Sequence, residues 1–286
     1  MANPWLERRI LAFAHQGGAK EAPSSTLFAI ERAIALGASA IELDVHRSLD
    51  GVLVVCHDAT LDRTTDGVGA IASTTSERLG ELDAAHFFVT NEGASPDQPL
   101  AAYRYRGRAP QDRRFGVASL DEALEACAGV FVNLDIKEGA PQVPPYEAEL
   151  ALALRRHHRA DDVIVASFSD HRTDAFSLAA PGVATSPGLS MLTSFVQAVR
   201  AGEPPPPAIC RHAAVQVPDV VGNVPLVDAR LVDATHGLGL ALHVFTVDDE
   251  QEMVRLVDLG VDGVMTDVPS VLVELLKRRG ASYRGC

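Results

Sequence analysis

Eight short apolar, often β-branched runs alternate along this chain with eight Ala- and Leu-rich stretches of helical spacing, and that alternation limits the fold more than any other feature. Strands are predicted near 10–14, 40–45, 130–136, 162–166, 183–185, 213–217, 241–246 and 263–266, with helices over 25–37, 120–128, 146–158, 170–179, 190–201, 228–237, 249–259 and 269–279. Repeated strand–helix units pair their strands in parallel, because each helix carries the chain back across a sheet face. Eight units in 286 residues match a (β/α)8 barrel, which takes about 250 residues. A doubly wound open sheet is the competing architecture. Two segments, LGASAIELDV (36–45) and LGVDGVMTDV (259–268), each leave a helix through Gly and run into a strand ending in Asp-Val, as a repeated βα architecture would.

One segment breaks the rhythm. Residues 58–119 carry Thr, Gly, Pro and aromatics with little periodicity beyond a short helix near 76–82. That is too long for an ordinary βα loop. It reads as a small subdomain inserted after the second barrel strand, within a single barrel domain spanning 1–286. In a barrel it would lie at the C-terminal face, where such loops build active sites.

The formal net charge of -13 argues against nucleic acid as a partner and against adhesion to anionic membranes by bulk charge. No run approaches the roughly 18 apolar residues of a membrane span, and the apolar run in RRILAFA is shorter than the roughly 7–15 residues of a secretory signal. A cytoplasmic protein without a membrane anchor is expected. Cys56, Cys127, Cys210 and Cys286 match no zinc spacing and read as reduced thiols.

Strand side chains alternate between two faces. In AIELDV, Ile41, Leu43 and Val45 share one face while Glu42 and Asp44 share the other; in VFVNLDIK, Asn133, Asp135 and Lys137 share a face. Two strands thus bring three carboxylates to one end of the fold. Such an oxygen-rich set suits a hard divalent cation, Mg²⁺ or Ca²⁺, rather than zinc. The alternative is a set of strand-end acids held by salt bridges. His15 and His57 each close an apolar run beside a polar turn, and histidine is the usual acid or base near neutral pH. Asp58 could orient an imidazole or simply sit exposed in its turn.

With these residues in view, AHQGG, PSSTLFAI and GASAIELDVHRSLDGVLVVCHDATLDRTTDGVG resemble the opening of the glycerophosphodiester phosphodiesterase family, which reads H-R-G, P-E-N-T, E-x-D, then D-G-x-x-V-x-H-D and R-T-T. The likeness continues through SLDEALEACAGVFVNLDIK, VIVASFS, VFTVDD and GVDGVMTDVP and covers essentially the whole chain. It implies a (β/α)8 barrel with a small insertion after the second strand, and metal-dependent hydrolysis of glycerophosphodiesters to glycerol 3-phosphate and an alcohol. It also implies that Glu42, Asp44 and Asp135 hold the cation (Mg²⁺ or Ca²⁺, with Mn²⁺ also suitable), that His15 and His57 act as general acid and base, and that Lys137 contacts the phosphate. Gln16 stands where the family has Arg, Ser24 and Ser25 where it has Glu-Asn, and Asp135 where it commonly has Glu. Gln16 would still face the substrate phosphate, but without a bidentate cationic contact. The expected partner is a small phosphodiester. The rival readings are a lysophospholipase D-like phosphodiesterase, for which the polar stretch 91–99 builds little apolar groove, and a non-catalytic barrel that binds phosphate esters. The arginines of 103–114 read as a solvated basic loop or as an electrostatic collar gathering phosphodiesters, with Tyr103, Tyr105 or Phe87 touching the leaving group.

Overall fold

The structure, a computed structural model, describes residues 3–6, 10–139 and 141–280; Cys286 lies outside them. Eight parallel strands form its centre: β1 (Leu11–His15), β2 (Ala40–Arg47), β3 (Phe131–Ile136), β4 (Val163–Ala166), β5 (Ala184–Thr185), β6 (Ala214–Pro218), β7 (Ala241–Phe245) and β8 (Gly263–Thr266). Their ladders run β5-β4-β3-β2-β1-β8-β7-β6. The two ends of that row meet: Ala213 N donates to Thr185 O at 2.9 Å, and Thr185 Oγ1 lies 3.0 Å from His212 Nδ1. Around the ring each strand neighbours its neighbour in sequence, and β8 lies against β1. This is a nearly closed (β/α)8 barrel, not an open sheet. Its outer shell is α1 (Leu27–Leu36), α2 (Leu120–Ala126), α3 (Glu147–Arg156), α4 (Asp170–Ala179), α5 (Leu189–Ala201), α6 (Ala229–Gly237), α7 (Glu250–Leu259) and α8 (Pro269–Arg278).

Strand alternation sorts the side chains. Ile41, Leu43 and Val45 of β2, with Val132, Leu134 and Ile136 of β3, join a core shared with residues of α1, α2 and α3. The intervening residues face the barrel axis. Register places Glu42 beside Asn133 and Asp44 beside Asp135, so the polar residues of the two strands form rows across the sheet. The N-terminal end of the interior is apolar: Trp5, Leu11, Ala40, Phe131, Ala214 and Ala241 pack there.

The segment after β2 begins with a strand that helical–strand alternation does not predict. Leu53–Val55 turns back antiparallel on β2, pairing Val55 with Val45 and Leu53 with Arg47. At three residues it is too short to show a period. The segment continues through a helix, Ser76–Glu81, and a two-stranded ribbon, Phe88–Val89 with Gly93–Ala94. It packs a small core of its own that includes Cys56, Leu61, Ile71, Leu79 and Leu82, and Phe115 stacks on Phe28 of α1 at 4.7 Å between ring centroids. A second unpredicted ribbon, Val220–Val221 with Val224–Pro225, follows β6.

Among the described residues, His243 is the ionisable ring sealed among the apolar rings of the interior. Its neighbours are Phe13 at 5.0 Å and Trp5 at 6.0 Å between centroids. Nδ1 lies 3.5 Å from Gln216 Nε2, and Nε2 has no partner. Burial lowers its pKa from 6.5 to about 3, so the folded chain holds it neutral. A depressed histidine stabilises the fold fully above the unfolded pKa and loses that contribution as pH falls below about 6.5. Between pH 7 and pH 5 the native chain should therefore lose more stability to urea than His243→Gln, by roughly 1–2 kcal/mol. Parallel losses in the two proteins would show that His243 is not the group responsible.

Candidate active site

The site forms where β1, β2 and β3 end at the C-terminal mouth. After His15 the chain turns sharply: Gln16 adopts φ 52° and Gly17 φ 79°. A side chain at Gly17 would come within 2.8 Å of Ala29 Cβ, so Gly is what lets this turn pack on α1. The turn is held by Gln16 N, which donates to Glu42 Oε2 at 3.1 Å, and by Ser25 N, which donates to Gln16 O at 2.8 Å. Thr26 then caps α1 by accepting from Ala29 N.

Each histidine is braced through Nδ1 by a carboxylate. His15 Nδ1 lies 2.6 Å from Asp267 Oδ1, just past the end of β8. Its Nε2 lies 3.3 Å from Gln16 Nε2 and 3.7 Å from Glu42 Oε2. Burial disfavours charge on this ring, but Glu42 and Asp267 outweigh it and raise the pKa to about 9. His57 Nδ1 lies 2.7 Å from Asp58 Oδ1, and Asp58 is gripped by Arg63 Nε at 2.6 Å and by a second guanidinium nitrogen at 2.9 Å. The His57 hydrogen bond and Arg63 hold the Asp58 carboxyl far below the usual carboxylate range. Asp58 is therefore an orienting residue rather than a free turn acid.

Lys137 sits between the acids. Its Nζ lies 2.8 Å from Asp44 Oδ1 and 2.5 Å from Asp135 Oδ2. Burial opposes its charge, and Asp44 and Asp135 more than restore it, raising its pKa. Burial, then the proximity of Asp44, push the Glu42 carboxyl well above its ordinary range. The outer oxygens, Asp44 Oδ2 and Asp135 Oδ1, are buried without a hydrogen-bond partner. Among the described residues no group of three or more His, Cys, Asp or Glu stands ready-made around a metal position. The all-oxygen donors and the two orphaned oxygens nonetheless fit a hard cation in their chemistry.

Both histidines, Glu42, Asp44, Asp135 and Lys137 line one cavity of about 330 Å³, whose other wall includes Phe168, Leu189, Leu192, Phe245 and Met265. His15 and His57 also line a second cavity of about 350 Å³, with Gln16, Lys20, Ser24, Arg63, Glu92 and Asp267. The structure thus gathers all seven sequence-predicted residues, with Gln16 on the second cavity only. The arginines of 103–114 line neither. Arg106 lies 3.8 Å over the Tyr103 ring and donates to His86 O, Arg113 pairs with Glu122 and Arg114 with Asp112. They brace the inserted segment, and Phe87, Tyr103 and Tyr105 likewise lie outside both cavities. Sequence reasoning missed Asp267. Its signal was the Asp-Val ending shared by 36–45 and 259–268, since two strand ends of one kind deliver a carboxylate to the same face. Asp248 fixes Asp267 in turn, accepting from its backbone N–H at 2.8 Å and from Thr266 Oγ1 at 2.9 Å, while Lys20 pairs with the same carboxylate at 2.7 Å.

Replacing His15 or His57 by Ala should lower kcat by roughly 10²–10⁴-fold. Asp267→Asn should lower kcat by about 10²-fold with a smaller change in KM, because it touches the ring and not the reacting atoms; Asp267→Glu should recover part of the loss. Steady-state kinetics of the four variants check this, and an Asp267→Asn enzyme with full kcat would remove Asp267 from the site.

Comparison with known proteins places the fold and the family. The model of the glycerophosphoryl diester phosphodiesterase family matches residues 15–271. A glycerophosphodiester phosphodiesterase of Caldanaerobacter subterraneus is 31% identical, over 95% of this chain and 100% of its own. One from Bacillus subtilis is 30% identical, over 94% and 87%. Among solved structures, a glycerophosphodiester phosphodiesterase of Agrobacterium tumefaciens superposes with a TM-score of 0.71 at 26% identity, covering 93% of this chain and 99% of that one. A phosphodiesterase of Oleispira antarctica, solved with its product sn-glycerol-3-phosphate, superposes at 0.69 with 22% identity, covering 94% and 97%. From His15 on β1 to the first turns of α8, this chain belongs to the glycerophosphoryl diester phosphodiesterase family.

Proposed function

We propose that this chain is a metal-dependent hydrolase that cleaves glycerophosphodiesters to glycerol 3-phosphate and an alcohol. The observation that carries the reading is the placing of two carboxylate-braced imidazoles beside a buried acidic cluster in one cavity. A barrel that merely binds phosphate esters has no use for two imidazoles held in this way. The product bound in the Oleispira antarctica relative is the product expected here.

Glu42, Asp44 and Asp135 are the residues that would hold the cation, Mg²⁺, Mn²⁺ or Ca²⁺, and when bound it would supply positive charge for the phosphoryl oxygens. The remaining chemistry belongs to the chain's own side chains. Lys137, poised between two acids, presents its ammonium to a phosphate oxygen. One imidazole takes the proton of the attacking water or substrate hydroxyl, and the other gives a proton to the departing alkoxide. Asp58 and Asp267 fix which ring nitrogens face the substrate. Gln16 brings a neutral amide to His15 Nε2, so phosphate charge falls more heavily on Lys137 and the cation than it would beside an arginine.

Release of glycerol 3-phosphate from glycerophosphoethanolamine and glycerophosphocholine should stop after EDTA treatment and return with Mg²⁺, Mn²⁺ or Ca²⁺. Undiminished release by verified metal-free protein would refute the metal requirement. Failure to release glycerol 3-phosphate from any glycerophosphodiester with metal present would refute the activity.

A further inference from the structure

The two cavities that share His15 and His57 differ in kind. The one beneath the inserted segment is lined by Gln16, Lys20, Ser24, Arg63 and Glu92. The other carries an apolar wall that rises out of the barrel into solvent. Phe168, just beyond β4, is 61% exposed, and Leu189, which opens α5, is 54% exposed. The two are joined side by side, Leu189 N donating to Phe168 O at 2.9 Å. Leu192, Phe245 and Met265 continue the wall inward, and the Phe168 ring centroid lies 5.7 Å from Lys137 Nζ. Past Pro218, which lines the same cavity, Val220, Val221 and Val224 are at least half exposed. Phe168, Leu189 and the three valines follow β4, β5 and β6, consecutive around the ring. The polar cavity draws on the loops after β1, β2 and β8, across the mouth.

Isolated exposed apolar residues are ordinary, but a run of them leading into a reaction cavity marks a surface that something covers. Phe168 and Leu189 belong to none of the hydrophobic clusters that hold the fold together. The glycerol diol is better matched by the polar cavity. Resting on the phosphodiesterase reading above, we propose that the substrate carries one polar arm and one aliphatic arm, and that the aliphatic arm lies along the trough from Phe168 and Leu189 toward the Val220–Val224 ribbon. Hydrolysis is unchanged in its balance: the P–O bond to the departing alcohol breaks, the oxygen of water bonds to phosphorus, and a proton passes to the departing oxygen. The chain can sit on the alcohol, as in an alkyl ester of glycerol 3-phosphate, or on the glycerol, as in a short-chain lysophospholipid. Both present the same aliphatic arm.

Two substrate series, each kept below its micelle concentration, separate these sources: sn-glycerol 3-phosphate esters of ethanol, butanol, hexanol and octanol, and lysophosphatidylcholines with short acyl chains of increasing length. Partial burial of each added methylene should raise kcat/KM about twofold, giving roughly 10–100-fold from ethyl to octyl or over the matching acyl range. The gain should fall mainly in KM, since the arm binds equally in ground and transition states. A rise in either series supports the trough and names its source. Phe168→Ser/Leu189→Ser should cut the long-to-short ratio at least fivefold, and Val221→Ser/Val224→Ser should cut it less. Rates flat within twofold in both series, with the ethyl ester cleaved, would overturn the trough while leaving the phosphodiesterase reading standing. An unchanged ratio in Phe168→Ser/Leu189→Ser would also overturn it. If no ester in either series were cleaved, the parent reading would fall and the trough with it.

Discussion

The ammonium of Lys137, held between Asp44 and Asp135 at 2.8 and 2.5 Å, is the contact on which the mouth of this barrel depends. Carboxylates buried side by side repel one another and lose their hydration, and each needs positive charge to remain ionised. Parallel pairing of β2 and β3 forces the problem, because register sets Asp44 beside Asp135 with Glu42 one layer below. One lysine cannot balance three acids. Burial, and then the unbalanced charge of Asp44, show in the raised pKa of Glu42, and the excess also leaves two carboxylate oxygens without partners. The neighbouring groups are arranged around the same excess: Glu42 takes the Gln16 N–H, that bond shapes the turn after β1, and the turn presents His15.

The departures from the family motif become intelligible at this level. At position 16 the contact with Glu42 is made by the backbone amide, so exchanging the side chain leaves the turn intact. The Gln amide then occupies the space beside His15 Nε2. Ser25 holds the turn through its own backbone N–H, and its hydroxyl is buried without a partner. Nothing in the structure explains why a serine stands there. At position 135 the aspartate keeps one oxygen on Lys137 and leaves the other unpaired. At positions 16 and 135 the altered residue retains the frame and changes the polar groups that line the two cavities.

Much of this was legible in the sequence. The eight-fold alternation of helix and strand patterns corresponds to the barrel, and side-chain alternation in β2 and β3 places Glu42, Asp44 and Asp135 on one face because strand period is a local property. What was not legible depends on contacts distant in sequence. Asp267 lies 252 residues from His15, and no local pattern joins them. Leu53–Val55 and the Val220–Pro225 ribbon are too short for periodicity. The basic segment 103–114 left a solvated loop and a collar both open because sequence shows charge but not its partners, and cation–π stacking and local ion pairs consume that charge. The polar stretch 91–99 suggested that the inserted segment builds little apolar groove. The apolar wall lies outside that segment and comes from Phe168 and Leu189, single residues after separate strands that become neighbours when the barrel closes.

The buried acidic cluster is tested most directly by its response to metal in the absence of any substrate. Metal-stripped protein would be unfolded thermally alone and with increasing Mg²⁺, Mn²⁺ or Ca²⁺, alongside Glu42→Gln. A cation that completes the cluster binds the folded chain alone and should raise Tm with concentration, by about 2.7 kcal/mol of stability at a hundredfold excess over Kd. Glu42→Gln should fold at least as well without metal, since no carboxylate is then buried beside Asp44 at position 42, and should lose most of the metal response. A native Tm indifferent to all three cations, or a Glu42→Gln protein that responds as the native chain does, would contradict the assignment of these carboxylates to a metal.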